Sequence, residues 1–301
     1  MLTMTTTGPD DSSGLRPLPA AGRAPVLERA GHVVHAARRL GELVSRRPAG
    51  ITGHQWSTAG RATLDFVVSV ADTGRPAFAV EIGPPVVTPE ARREVRMREA
   101  VCAAVGLPVL RIESTTLRPG PHGRRVVEYL VDARCYAAGT VERLDPTDPE
   151  DPTAEAPVGF RDIIGRLPDG RRGQVNDLGA IARAAAVEAY VARQLVDPIL
   201  RGLHVRWTDG PAEGWGWVEV RPGHCLVERV QLRQQRFSCG VDPARLAQDL
   251  AAAAVGERLR TLDAEEPTLV PRAELGRDVD RLRARRDEMA DGFPFDHLTF
   301  D

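Results

Sequence analysis

The first two dozen positions are small, polar and rich in proline and glycine, and residues 1–24 read as a disordered tail. From Val26 the apolar positions Leu27, Ala30, Val33, Val34, Ala37, Leu40, Leu43 and Val44 recur every three or four residues, the spacing of one helix face. Pro48 and Gly50 end that run, and 51–56 reads as a short extended piece. Residues 63–70 are β-branched and apolar enough for a buried strand, 72–76 is a turn, and 77–82 is the next strand. Thr88-Pro89-Glu90 marks a helix start, with Thr88 as cap and Pro89 at the first helical position. That helix runs to about Val105, and Gly106 suits its left-handed exit. A strand over 108–112 and a helix over 123–138 complete the pattern, so 25–142 is expected to be an α/β domain with a mixed sheet.

Residues 143–158 carry D-P-T-D-P-E-D-P and read as a stiff acidic, Pro-rich linker. A second, α+β domain is expected over 159–265. It opens with the basic loop G-R-L-P-D-G-R-R-G, whose Arg166, Arg171 and Arg172 make either a solvated loop or an anion clamp. Asn176 or Asp177 then caps an Ala-rich helix to about Leu200, followed by strands at 203–208, 215–221 and 225–237. The connector T-D-G-P-A-E-G predicts a hairpin that pairs Trp207, Trp215 and Trp217 across it. Asp242 caps a core helix to Leu262. Within 266–301 a highly charged helix over 272–290 shows little apolar face, and an aromatic-acidic tail follows. Phe293, Phe295 and Phe300 of that tail either dock on their own domain or form a hook for a protein partner.

Composition narrows the chemistry. With 42% hydrophobic residues in 301, the chain can build a core and is not wholly disordered. No apolar run approaches the ~18 to 20 residues of a membrane span. The N-terminus lacks the basic, apolar and small-residue order of a secretory signal, so the expected location is cytoplasmic. All 40 basic residues are arginine. A codon bias toward Arg, Ala and Gly explains this, yet the consequence holds: there is no P-loop or kinase lysine and no Schiff-base lysine. Arginine cannot serve as a proton acceptor, since its pKa lies above ~12. The net charge of −2 argues against wrapping nucleic acid by bulk electrostatics and leaves room for a local basic face. Cys102, Cys135, Cys225 and Cys239 contain no C-x-x-C pair, and His224-Cys225 with Cys239 and His204 fits no zinc-knuckle spacing.

Two acids interrupt apolar strands: Asp65 in L-D-F-V-V and Glu81 in F-A-V-E-I, near the start of one strand and the end of the next. In an antiparallel meander those positions converge at one sheet edge. Acids there are costly to bury without a partner, and magnesium or manganese, bound by hard oxygen ligands, is a partner that can activate water for attack on a phosphodiester. The motifs D-F-V-V, A-V-E-I and G-L-P-V-L-R-I, in this order and with sixteen residues from Asp65 to Glu81, resemble the PD-(D/E)XK nuclease superfamily, in particular its very-short-patch-repair-like endonuclease branch. The resemblance implies a restriction-endonuclease-like αβββαβ core over 25–138. It implies Asp65, Glu81 and the Ile82 backbone carbonyl as ligands of Mg or Mn, DNA or RNA as substrate, and Mg/Mn-dependent endonuclease activity. Gly83 stands where the family carries lysine or an acid, and G-P-P-V-V lacks the branch's histidine. The family sometimes moves its basic residue to the next helix, where Arg98 or Arg96 stands, with Glu94 as a further ligand or base. The alternative is a catalytically silent nuclease-fold module that binds nucleic acid or a partner in a larger assembly. A third reading is an unrelated α/β domain whose Asp65 caps a turn and whose Glu81 pairs with an arginine.

Around this pair, Arg111 is expected to salt-bridge Glu113 or Glu81 rather than meet phosphate. His54 and Trp56 are a packing pair or the mouth of a groove. Arg229, Arg233 and the string Q-L-R-Q-Q-R-F lie along one strand and are either solvated on a wet sheet face or part of a stacking and phosphate-binding surface.

Overall fold

The computed structural model describes residues 14–18, 24–137, 164–166, 172–174, 178–262, 267–291 and 293. In chain order the elements are β1 Leu27–Arg29, β2 His32–Arg39, α1 Leu40–Leu43, α2 Gly53–Ala59, β3 Thr63–Val70, β4 Pro76–Gly83, α3 Pro89–Ala104, β5 Val109–Ser114 and α4 Pro119–Ala137. Then come β6 Ile164–Arg166, β7 Arg172–Gln174, α5 Ala180–Val191, β8 Arg201–Arg206, β9 Ala212–Arg221, β10 His224–Gln235, α6 Pro243–Leu259, β11 Val270–Pro271 and α7 Arg272–Ala284. Among the described residues nine strands form one mixed sheet in the order β1-β2-β3-β4-β5-β10-β9-β8, with β11 on β10, and β6 pairs with β7 separately. The expected α/β class with a mixed sheet is the observed one. No helix among the described residues is long and apolar enough to cross a membrane. The chain divides into two compact units: Met1–Val80 with Val86–Val109 and Gln235–Phe237, and Glu81–Pro85 with Leu110–Gln234 and Ser238–Asp301.

In the first unit the expected helix over 26–44 is a hairpin. Glu28 pairs with Val33 and Arg29 with His32, and the two loop residues Ala30 and Gly31 have φ of 47° and 73°. Positive φ at both central positions is the mark of the turns that match strand twist, and glycine is at home at the second. The β-branched Val33 and Val34 follow at once, and β2 runs antiparallel to β3 with Val34 opposite Val68. Only the last turn of the expected helix survives, as α1 with Leu40 and Leu43 buried. The expected extended piece at 51–56 is also overturned. The Thr52 hydroxyl accepts from Gln55 N–H at 3.2 Å and the Gln55 amide oxygen accepts from Thr52 N–H at 2.8 Å, a capping box that starts α2.

Residues 14–18 of the expected tail are ordered against this unit. Leu15 bridges Val44, and Leu18 is buried with its N–H donating to Gly74 O at 2.8 Å. The α3 start is as expected, with the Thr88 hydroxyl accepting from Ala91 N–H at 3.2 Å, and Gly106 exits at φ 70°. The core joins Leu40, Leu43, Leu64, Val67, Val101 and Leu107.

In the second unit a strict period of two organises β9. Gly214, Gly216, Val218 and Val220 face α5 and α6, whereas Trp215 and Trp217 pack with Leu275, Val279 and Leu282 of α7. A Cβ on Gly214 would lie 2.1 Å from the Ala247 carbonyl carbon, so glycine is what lets α6 rest on the strand. The tryptophans do not pair across the hairpin, because Trp215 lies opposite Leu203 and Trp217 opposite Arg201. The Ala-rich helix is shorter than expected: α5 ends at Val191, and Arg193 at φ 60° turns the chain away. The charged α7 does have an apolar stripe, Leu275, Val279 and Leu282, at helical spacing. The expected linker 143–158 and the cap residues Asn176 and Asp177 lie outside the described residues.

The hairpin makes a prediction opposite to that of a helix. Asn is favoured over Ala at the first central position of this turn, so Ala30→Asn is expected to raise stability by ~0.5 to 1 kcal/mol in urea titration. A helical segment at 26–44 would instead be weakened by the change.

Candidate functional site

Asp65, in the first unit, is half-buried on β3 next to Phe66, which lies opposite Val80. Its environment has one backbone irregularity. Ala37, at φ 51°, drops out of the ladder between the pairs Ala36–Phe66 and Arg38–Leu64, at the step that faces Asp65. A non-glycine residue in this region stores local strain, on the order of 1 kcal/mol. Arg98 is half-buried on α3, and Glu94 on the same helix is exposed.

The same unit has a cavity of about 410 Å³ between α2 and α3, lined by Thr52, His54, Gln55, Arg93, Arg96 and Met97. Arg93 and Arg96 stand three residues apart, on one side of α3, and both are exposed. Two guanidiniums, an imidazole, an amide and a hydroxyl meet there with no carboxylate in the lining. His54 thus belongs to this cavity, while Trp56 packs on the core.

Glu81 belongs to the second unit, at 8% exposure on β4, and Ile82 beside it is buried. Arg111 on β5 reaches Glu81 at 3.6 Å and donates through Nε to Glu113 at 2.8 Å. Arg233 of β10 approaches Glu113 at 3.9 Å. Glu113 is itself only 7% exposed, so two buried carboxylates share one largely buried guanidinium. Both partners expected for Arg111 are therefore realised at once. The fit to magnesium or manganese is poor. A guanidinium already sits against Glu81, and no three His, Cys, Asp or Glu side chains among the described residues are grouped to hold a metal ion.

Of the two readings for the β10 arginines, the stacking platform finds its tryptophans occupied from within, while the side chains of Arg229 and Arg233 are about half exposed. Trp215 and Trp217 are buried, and Arg229 lies 3.8 Å from the centroid of Trp215 while pairing with Asp278. The side chains of Arg166 and Arg172, and all of Arg171, lie outside the described residues. Phe293 is buried against the tryptophan core with Arg283 over its ring, so it is docked on its own unit; Phe295 and Phe300 lie outside the described residues. All four cysteines are buried and none is in a disulfide, and burial pushes the Cys239 thiol up to about 11, which leaves it inert.

Glu228 was not singled out by its sequence, because V-E-R-V reads as ordinary alternation. It lies on β10, 6% exposed, where the Thr116 hydroxyl donates to its Oε1 at 2.8 Å and Oε2 has no hydrogen-bond partner among the described residues. Nearby, Glu257 on α6 holds Arg125 at 3.2 Å and Arg260 at 3.2 Å, with His122 Nε2 at 3.7 Å. Burial lowers the His122 pKa, and Arg125, Arg118 and Arg260 add to this against the pull of Glu257.

Comparisons with family models, with curated proteins and with solved structures find no match for this chain.

Two outcomes are expected. Arg111→Ala leaves Glu81 and Glu113 buried without their shared counter-charge and destabilises the fold by ~3 to 5 kcal/mol, read by chemical denaturation; a loss under about 1 kcal/mol contradicts the buried pairing. For Glu228, burial raises the pKa above the ordinary 4.5, against the Thr116 hydroxyl and the charges of Arg258 and Arg118. Between those two values the folded state holds more protons than the unfolded chain, so stability falls as pH rises through that window. Glu228→Gln keeps an acceptor for Thr116 and removes the penalty. Its melting temperature should exceed wild type at about pH 8 and converge with it near about pH 4, whereas a pH-independent difference would refute the assignment.

Proposed function

We propose that this protein binds nucleic acid through a nuclease-like core that does not hydrolyse phosphodiesters. The non-cutting half of the reading rests on Arg111, whose guanidinium sits against the carboxylate a metal would need and is shared with Glu113. Displacing it would leave the buried Glu113 with only the half-exposed Arg233 at 3.9 Å, which opposes metal entry by about a few kcal/mol. Arg98 and Arg96 supply positive charge but no proton acceptor.

The binding half rests on the cavity between α2 and α3. Arginine presents a planar fork of donors that matches phosphate oxygens, and two such forks one helical turn apart suit successive phosphates of one strand. His54 and Gln55 face the same space and add neutral or charged donors. The absence of a carboxylate from this lining matters because the chain's net charge is −2, so a basic face must be local.

Fluorescence anisotropy with labelled single- and double-stranded DNA and RNA tests the binding half. Wild type should bind at least one of them with strong salt dependence. Arg93→Ala with Arg96→Ala should reduce the slope of log K against log salt by about one for each phosphate no longer neutralised. A folded wild type that binds none, or a double variant that binds unchanged, overturns it. The non-cutting half is tested on the same substrates in magnesium or manganese against chelator. Metal-dependent cleavage that Glu81→Ala abolishes would restore the hydrolase.

A further inference from the structure

The second unit holds a cavity of about 590 Å³ between the β8–β9 turn and the segment that follows α7. Its walls are stitched by backbone bonds. Trp207 bridges Met289, Thr208 N–H donates to Glu288 O at 2.9 Å, and Ala290 N–H donates to Arg206 O at 2.8 Å. The opening is thus built from paired chain, and its volume is in the range of small-molecule sites.

Its floor is a fixed carboxylate. Glu213 Oε2 accepts from the Trp207 indole N–H at 3.2 Å, and Oε1 accepts from the Trp215 indole N–H at 2.7 Å. Each oxygen keeps a further lone pair. Among the described residues Glu213 has no arginine or histidine within ion-pair distance, although it is half-buried. Neutral indole donors orient its charge, which also attracts Arg285 through space.

The lining as a whole is acidic: Asp209, Glu213, Asp287 and Glu288 against Arg233 and Arg285. Arg233 leans toward Glu113 at 3.9 Å, which leaves Arg285 as the cation most directly available to the cavity. Arg285 is exposed, pairs with Glu288 at 2.7 Å, and lays its guanidinium 4.1 Å from the centroid of the Trp207 ring. The protein's own side chain therefore shows what the ring face accepts: a planar cation over an indole whose N–H is tied to a carboxylate.

We propose that this cavity binds a small organic cation, a guanidinium or primary ammonium, anchored by the Glu213 carboxylate and stacked on Trp207 in the place that Arg285 holds when the site is empty of it. Arg285 then acts as an internal competitor, and removing it should help rather than hurt. That sign separates the proposal from a merely structural role for the stack, in which Arg285 has no effect on any ligand.

Isothermal titration calorimetry, with tryptophan fluorescence as a second readout, tests it on the full chain. The probes are agmatine, the arginine-bearing peptide Gly-Gly-Arg-Gly-Gly, and the same peptide with citrulline as a neutral control. Wild type should bind agmatine or the arginine peptide saturably and the citrulline peptide not at all. Glu213→Gln should weaken binding by about tenfold or more. Trp207→Phe should weaken it several-fold, and Arg285→Ala should tighten it. Agmatine alone binding identifies a free cation as the occupant; binding of the peptide as well identifies a protein arginine. Failure of both wild type and Arg285→Ala to bind either cation at millimolar concentration overturns the proposal, as does equal binding of the citrulline peptide. Arg285 is exposed, so its variant folds even if Glu213→Gln does not.

Discussion

The contact of α6 with the two glycines of β9 is the constraint from which the second unit follows. At Gly214 the Ala247 and Gln248 backbone lies where any side chain would begin, 2.1 Å from a notional Cβ, and at Gly216 the Ala251 backbone is tight but farther, at 3.0 Å. A helix this near a strand must be lined with small residues, and α6 supplies Ala244, Ala247, Ala251 and Ala254, all buried. It is matched against its neighbour α5 as well, where Gly256 meets Ala182 at 2.7 Å from a notional Cβ. With one face of β9 committed to glycine, the bulk of the strand has to lie on the other. Trp215 and Trp217 alternate with the glycines and need a partner with room for them, and the Leu275, Val279 and Leu282 stripe of α7 provides it. The cation cavity is a by-product of that arrangement, for it opens where α7 ends and the tryptophan face continues.

The charged row on the same unit obeys a different rule. Glu81, Arg111 and Glu113 come from β4 and β5, and each alone would be an unfavourable residue at its depth; the exposed Arg233 of β10 approaches them from the rim. The cost of the three buried members is offset only together, so Arg111 cannot change without stranding Glu81 and Glu113. A metal-binding carboxylate has the opposite requirement, since its charge must be left for the ion. The Glu213 carboxylate is left for an incoming organic cation: indole N–H groups orient its charge, and Arg285 is attracted to it without an ion-pair contact. The contrast between Glu81 and Glu213 is the main reason for placing ligand chemistry at the second and not the first.

What the chain makes legible depends on whether a signal is local. Thr88-Pro89, Gly106 and Asp242 state their roles within a few residues, and α3, its exit and α6 lie where those residues put them. The run from Val26 to Val44 misleads because spacing by three and four also arises when a strand is covered on both faces, as β2 is at Val34 and His35. Its decisive signal was a dipeptide, Ala30-Gly31, whose turn depends on φ at alanine, a residue that seldom adopts it. At 51–56 the capping box T-x-x-Q was present and outweighed by the β-branched and aromatic content around it. Of the candidate site, the Arg111 pairing was readable because Glu81 lay in the preceding strand of the pattern and Glu113 two residues along the chain. The Glu213 site was not, because it joins a turn, a strand and a segment some seventy residues later, and no local period records such a meeting.

The lysine-free composition has a last consequence that ties these sites together. A lysine at the position of Arg111 or Arg285 could shed its proton when burial or a competing ligand made its charge costly. Arginine keeps its charge, so the cationic side of every pair here is constant across the working pH range. Any response to pH or ligand must then come from acids, histidines or the movement of whole guanidinium groups. Glu228 and His122 are placed for the first kind of response, with burial shifting both toward their neutral forms. Arg285 is placed for the second: exposed, held by one carboxylate and one ring, it can leave as an intact cation when another arrives. Arg111, gripped by two buried acids, cannot. A permanent charge that moves is a reporter of occupancy, and a permanent charge that stays is a structural bond; in this chain the same side chain serves as both, and burial decides which.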